Sequence, residues 1–71
     1  MIKYILNKSL KDDMIIQIIY MKKDKITERN IKVKEISEDK VKAYCYLRRE
    51  IRYFKIENIL SAKILNDWSQ K

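Results

Sequence analysis

Tyrosines and basic side chains are interleaved in the middle of the chain, between residues 40 and 55. An aromatic ring flanked by a cation can stack a nucleobase and hold a phosphate. This segment has six lysines and arginines against one acid, Glu50, so it carries a local excess of five positive charges. Over the whole chain, 17 basic residues exceed 10 acidic ones. The pattern predicts an anionic partner, such as nucleic acid, a nucleotide or an anionic membrane surface; the alternative is a solvated lysine-rich surface.

Eight residues form the candidate binding site. They are Lys42, Tyr44, Tyr46, Arg48, Tyr53 and Lys55 on one face of a hairpin, with Arg29 and Arg52 at its rim. The tyrosines would stack bases of a single strand, and the cations would pair with phosphates. Two alternatives stay open. The tyrosines pack across strands or lie in a subunit interface, and Arg52 pairs with Glu50 or Glu28.

A tight β-hairpin would place these side chains on a common face. If the chain turns at Arg49-Glu50, Tyr46 lies opposite Tyr53 and Tyr44 lies opposite Lys55. The other face then carries Ala43, Cys45 and Leu47 together with Arg52, Phe54 and Ile56. That face is mostly apolar, so we expect it to point into a core, and we expect the single cysteine on it to be structural.

Catalysis is not expected from this composition. The chain has no histidine, which removes the usual general base near neutral pH and the usual metal ligand. It has no glycine for a phosphate-cradling loop, and its acids are scattered without the spacing of a paired site or a calcium loop. We expect a binding module that is not an enzyme and that uses no metal and no cofactor.

The apolar runs and the cysteine content predict a cytoplasmic protein that does not bind a membrane. The longest apolar run, residues 14–21, is interrupted by Gln17 and is too short to span a bilayer. A lone cysteine excludes an intramolecular disulfide and agrees with a reducing compartment.

The spacing of apolar residues predicts one small domain over residues 1–71, with its core in residues 2–65. The predicted elements are a helix over residues 2–10, strands over 14–21 and 26–36 with a bend after Val33, the hairpin over 43–56, a helical or 3₁₀ turn over 57–59 and a strand over 60–65. This is the layout of a mainly β fold, in which a short N-terminal helix precedes a five-stranded antiparallel SH3-like or Sm-like small barrel. The expected interior consists of Ile16, Ile18, Ile31, Val33, Ala43, Cys45, Phe54, Ile56 and Ile59.

The domain is also expected to self-associate. Apolar residues such as Ile15, Ile19, Ile51 and Trp68 exceed what a barrel of this size can hide, and edge strands without proline or glycine invite pairing between chains. We therefore expect a homodimer. Trp68 lies in the tail, residues 66–71, and a terminal tryptophan more often packs on a seam or a partner chain than binds a ligand.

The hairpin and its neighbours resemble the WYL domain family. The matching residues follow the family's order, and they are Tyr20, Arg29, Ile31, Ala43-Tyr44-Cys45, Leu47-Arg48, Arg52, Phe54 and Ile59. The departures are Asp39, Lys40 and Val41 at the W-Y-L tripeptide, Val33 in place of a proline and Asn58 in place of the last arginine. The resemblance covers nearly the whole chain, and its most specific part is residues 47–59.

WYL domains are similar to Sm-like barrels and usually follow a helix-turn-helix in bacterial transcription regulators, where a basic pocket senses nucleotides or nucleic acid. The resemblance implies the sensing module alone, without its own DNA-binding helix-turn-helix and with Arg29, Arg48 and Arg52 at matching positions. A separate regulatory protein is a further expected partner. Two functions stay open: a nucleic-acid- or nucleotide-binding regulatory module, and a homo-oligomerisation or protein-interaction module whose tyrosine-rich face is the interface.

Overall fold

One helix leads into five antiparallel strands, in the order that the sequence predicts. The computed structural model describes residues 2–65, so the tail and Trp68 lie outside the described residues. The elements are α1 (Ile2–Asp12), β1 (Ile15–Lys22), β2 (Lys25–Ile36), β3 (Lys40–Cys45), β4 (Glu50–Lys55), a 3₁₀ turn (Ile56–Asn58) and β5 (Ile59–Ile64). The strands form a single sheet in the order β4-β3-β2-β1-β5. The predicted mainly β fold is confirmed, with element ends that differ by at most three residues.

The sheet curls until strands that are not neighbours touch each other. A bulge in β2 between Val33 and Glu35 shifts the register with β3, as the sequence predicted. The ring of Tyr20 on β1 lies edge-on to Phe54 on β4, with centroids 5.1 Å apart, although β2 and β3 separate these strands in the sheet. The Tyr20 hydroxyl also accepts a hydrogen bond from the Lys55 N–H at 3.0 Å. The sheet is therefore a small barrel rather than a flat layer.

The interior follows the predicted alternation along the strands. Its buried apolar residues are Leu6, Ile16, Ile18, Ile31, Val33, Val41, Ala43, Cys45, Phe54 and Ile59. Eight of the nine predicted core residues are confirmed; Ile56 is only partly buried and packs against the others. The sequence reasoning missed Leu6, which α1 brings against this core, and Val41, which has the same parity as Ala43. No helix within residues 2–65 has the length and apolar character needed to cross a membrane.

The predicted register of the β3–β4 hairpin is wrong. Tyr44 lies opposite Ile51, and Lys42 lies opposite Tyr53. The turn is a four-residue connection over residues 46–49, closed by a 2.7 Å hydrogen bond from the Arg49 N–H to the Cys45 carbonyl. Within that turn only Arg49 has a positive φ, 57°. A two-residue turn usually requires a positive φ at one or both central residues and favours glycine or asparagine there, and the segment offers neither.

The register error changes the position of one residue of the predicted apolar face, Leu47, but the strand residues stay on their predicted sides of the sheet. Leu47 lies in the turn and is 67% exposed instead of facing the core. The pairing differs from the prediction by an even number of positions, and an even shift keeps every strand residue on its own side of the sheet. Ala43 and Phe54 therefore remain inside, and Tyr44 and Tyr53 remain outside.

Ser9 links α1 to β2 through hydrogen bonds, at a position where β2 has no pairing partner on β1. Its buried hydroxyl accepts a hydrogen bond from the Val33 N–H at 3.0 Å and donates one to the Met14 carbonyl at 2.6 Å. β1 begins at Ile15, which pairs with Lys32, so Val33 has no partner on β1. The Ser9 hydroxyl supplies the acceptor that a longer β1 would have supplied.

Replacing Ser9 with alanine should destabilise the domain. The change leaves the Val33 N–H and the Met14 carbonyl without this partner, and each unsatisfied buried group costs about 1–3 kcal/mol. We expect Ser9→Ala to lower the free energy of unfolding in urea by about 2–4 kcal/mol. Ser61→Ala, on an exposed position of β5, should change it by less than about 0.5 kcal/mol. Equal effects of the two substitutions would contradict the proposed role of Ser9.

Candidate functional site

A groove of about 210 Å³ lies between the β1–β2 hairpin and the β3–β4 hairpin. Its lining residues are Tyr20, Lys22, Lys25, Thr27, Arg29, Cys45, Arg48, Arg52, Tyr53 and Phe54. Half of these residues are basic, and none is acidic. We call this the arginine groove, after the three arginines that line it.

The arginines reach the groove from three different elements. Arg29 lies on β2 two residues before the buried Ile31, so it occupies an inward-facing position where the apolar interior ends. Its Nε donates to the Thr27 hydroxyl at 3.4 Å, and no carboxylate within residues 2–65 lies within 4.0 Å of its guanidinium. Arg48 is exposed in the β3–β4 turn. The groove thus combines the partly buried Arg29 and Arg52 with the exposed Arg48.

In the described part of the chain, Arg52 is the one groove cation that forms an ion pair with a carboxylate. It lies on β4 opposite Ala43, and its guanidinium is 3.2 Å from the Glu50 carboxylate. The predicted alternative of an Arg52–Glu50 pair is therefore present. Both side chains are well exposed, 35% and 58%, and such exposed pairs contribute little and exchange readily. A phosphate could replace Glu50 as the partner without a large loss of folding energy.

The predicted tyrosine pair is replaced by two separate aromatic contacts. Tyr46 does not face Tyr53; it lies edge-on to Tyr44, with ring centroids 4.9 Å apart. Tyr53 is 60% exposed, and the ammonium of Lys40 lies 5.2 Å from the centre of its ring. Tyr53 is therefore an exposed ring with a cation over it, an arrangement that can stack a base and hold the adjoining phosphate.

The eight predicted site residues fall on two connected surfaces instead of one. The arginine groove brings together Arg29, Arg48, Arg52 and Tyr53. The outer surface of β3 and β4 carries Lys42, Tyr44 and Lys55, with Tyr46 at its turn end. Tyr53 belongs to both, because it lines the groove and also lies opposite Lys42 on the outer surface.

Sequence reasoning missed the contribution of the β1–β2 hairpin to the groove. Lys22, Lys25 and Tyr20 line it, but the lysine cluster was interpreted only as a turn. In an antiparallel meander the first and third turns lie at the same end of the sheet. That rule places the cations of both hairpins toward one end of the sheet but not in contact, because residues 25–30 of β2 extend beyond its pairing with β3.

Within residues 2–65 no group of three or more histidine, cysteine, aspartate or glutamate side chains could hold a metal ion. The Cys45 thiol is free and buried beneath the groove. Comparisons of the chain with protein-family models and with curated proteins found no match. The geometry of the groove is therefore the main basis for assigning a function.

Proposed function

We propose that this chain is a nucleic-acid- or nucleotide-binding regulatory module that holds phosphate groups in the arginine groove. One observation carries the proposal: of the residues that the structure describes, five cations and no acidic residue line this concave site. Guanidinium groups suit phosphate because their planar donors can bind two oxygens at once.

The type of binding follows from the side chains available. Cations hold phosphates and Tyr53 offers a ring for a base, whereas neither group is an efficient general base near neutral pH. We therefore propose recognition without catalysis, in a cytoplasmic sensor of bacterial type that works with a separate regulatory protein. The resemblance to WYL domains adds weight to Arg29, Arg48 and Arg52 as ligand contacts.

A second candidate function is homo-oligomerisation through the outer surface of β3 and β4. It is favoured by large apolar side chains that remain exposed there, among them Tyr46, Ile51 and Tyr53. Of the other apolar residues expected in an interface, Ile15 and Ile19 are half-buried. A symmetric dimer through this surface would bring like charges together, because Lys42 and Lys55 lie on it, and that repulsion disfavours it.

The two candidates are separated by binding measured over a salt series. Fluorescence anisotropy with a ten-nucleotide oligothymidylate and with ATP, between about 20 and 300 mM salt, should show binding that weakens as salt rises. Three to five phosphate contacts predict a slope of about −2 to −3.5 in a plot of log K against log salt for the strand. Sedimentation of the free protein at about 100 µM should be run in parallel. A stable dimer that binds neither probe at the lowest salt would favour oligomerisation and refute the binding proposal.

A further inference from the structure

A second hollow, of about 400 Å³, lies beside the arginine groove. Its lining residues are Tyr20, Lys22, Lys23, Lys40, Tyr53, Phe54, Lys55 and Asn58. Four of these residues, Tyr20, Lys22, Tyr53 and Phe54, also line the arginine groove, so the two hollows form one continuous depression, which we call the edge channel. Among residues 2–65, eight lysines and arginines and no acidic residue line the edge channel.

The edge channel runs along the outer edge of β4. Within residues 2–65, β4 pairs only with β3, so its other edge has no neighbouring strand. The Lys55 N–H points away from β3, because its acceptor is the Tyr20 hydroxyl. Backbone groups of alternate residues point the same way, so those of Tyr53 and Ile51 also face the open edge. The channel therefore offers backbone donors and acceptors as well as cations.

We propose that the edge channel binds single-stranded nucleic acid lengthwise along β4, and that a lone nucleotide fills only part of it. This inference rests on the proposed function of the arginine groove. Arg48 lies beside one end of β4 and Lys55 lies at the other, while the Lys40 ammonium lies over the Tyr53 ring between them. The six residues of β4 span about 20 Å. The phosphates of one nucleotide cannot reach cations at both ends, whereas successive phosphates of a strand can.

The length of β4 sets the number of nucleotides that the channel can hold. A stacked strand advances about 3.4 Å per nucleotide, so about 20 Å accommodates about six, and fewer if the bases are splayed. Small barrels that bind single strands contact about four or more nucleotides. We expect a site of about four to six nucleotides, with Tyr53 near its middle as the stacking residue.

A second copy of the chain is a poor occupant of the edge channel. Pairing of two copies along β4 would place the eight cations of one copy against the eight cations of the other. The backbone hydrogen bonds of one short strand would have to overcome that repulsion. An acidic peptide could add as a strand, but the Tyr20 hydroxyl already occupies the Lys55 N–H that such a peptide would need. Phosphates require no continuous row of free backbone donors, so a nucleic acid fits this edge better.

A length series tests the inference on the unmodified protein. The probes are thymidine monophosphate, oligothymidylates of two, four, six and ten nucleotides, and hexaglutamate as a peptide of comparable charge. Titration calorimetry or competition anisotropy at one low salt concentration gives each Kd. We expect the Kd to fall at least 30-fold from the mononucleotide to the six-nucleotide strand and then to change less than threefold up to ten nucleotides.

Substitutions at the far end of the channel, the end remote from Arg48, test whether a bound strand extends along the whole of β4. Lys23→Glu with Lys55→Glu should weaken binding of the six-nucleotide strand at least tenfold and mononucleotide binding less than threefold, because neither residue lines the arginine groove. The matched control is Lys11→Glu with Lys63→Glu, which makes the same change in net charge at exposed positions outside the channel. The control should weaken binding of the strand less than threefold, an effect of net charge alone.

The possible results separate failure of the inference from failure of the proposed function. If the mononucleotide binds as tightly as the six-nucleotide strand and the far-end variant binds both normally, the inference is wrong and the groove alone is the site. Hexaglutamate binding as tight as that of the six-nucleotide strand would also overturn it, in favour of an acidic peptide. Absence of binding by every nucleotide probe would overturn the proposed function itself.

Discussion

A Phe54→Ala variant is expected to be largely unfolded under conditions in which the unmodified domain is folded. Phe54 is 6% exposed, lies opposite Val41 in the sheet and packs edge-on against Tyr20 across the barrel. Removing a buried phenylalanine ring costs about 3–5 kcal/mol. A domain of 71 residues has a stability near the low end of the usual range of about 5–15 kcal/mol, so this loss removes most of it.

The contrast between Phe54 and its neighbour makes this prediction specific. Thermal unfolding followed by circular dichroism should show no cooperative transition for Phe54→Ala, or one lowered by at least about 15 °C. Tyr53→Ala, one residue earlier but 60% exposed, should lower the transition by only a few degrees. Phe54→Leu should lie between the two, because it keeps most of the buried volume. If Phe54→Ala and Tyr53→Ala melted together, the barrel core would not be as described.

The strands and their inward faces were predictable because they depend on local alternation. Ile16 and Ile18 alternate with less buried residues along β1, and the change of parity after Val33 indicated the bulge in β2. These signals survive an error in pairing, since an even shift in register leaves each residue on its side. This is why Ala43 and Phe54 were placed inside although their partners were wrong.

The groove was only partly predictable because it depends on the backbone conformation of the β3–β4 turn and on which hairpins the fold brings together. Whether the third turn spans two residues or four is decided by the conformation of Arg49 and by the Arg49–Cys45 hydrogen bond, and neither has a sequence signal in a segment without glycine. Lys22 and Lys25 reach the groove from a hairpin some twenty residues away. Local charge counting finds the arginine-rich segment but not the lysines that the fold places beside it.

The largest functional effect should come from reversing the charge of Arg48 and Arg52 together. Both line the arginine groove from the β3–β4 hairpin, so Arg48→Glu with Arg52→Glu replaces two of its five cations with acids. Each lost phosphate contact removes favourable counterion release, and each new carboxylate repels the ligand. We expect binding of a single-stranded oligonucleotide at low salt to weaken more than 100-fold, which corresponds to about 2.7 kcal/mol.

The same variant should remain folded, and this separates a binding defect from a folding defect. Arg48 is exposed, and the Arg52–Glu50 pair is exposed enough to contribute less than about 1 kcal/mol. We therefore expect its free energy of unfolding in urea to stay within about 1 kcal/mol of that of the unmodified protein. The control, Lys11→Glu with Lys63→Glu, has the same net charge but leaves the groove intact. If both double variants lose affinity equally, attraction comes from net charge alone and the arginine groove is not the site. If only the groove variant loses affinity, binding depends on the location of Arg48 and Arg52 in the groove.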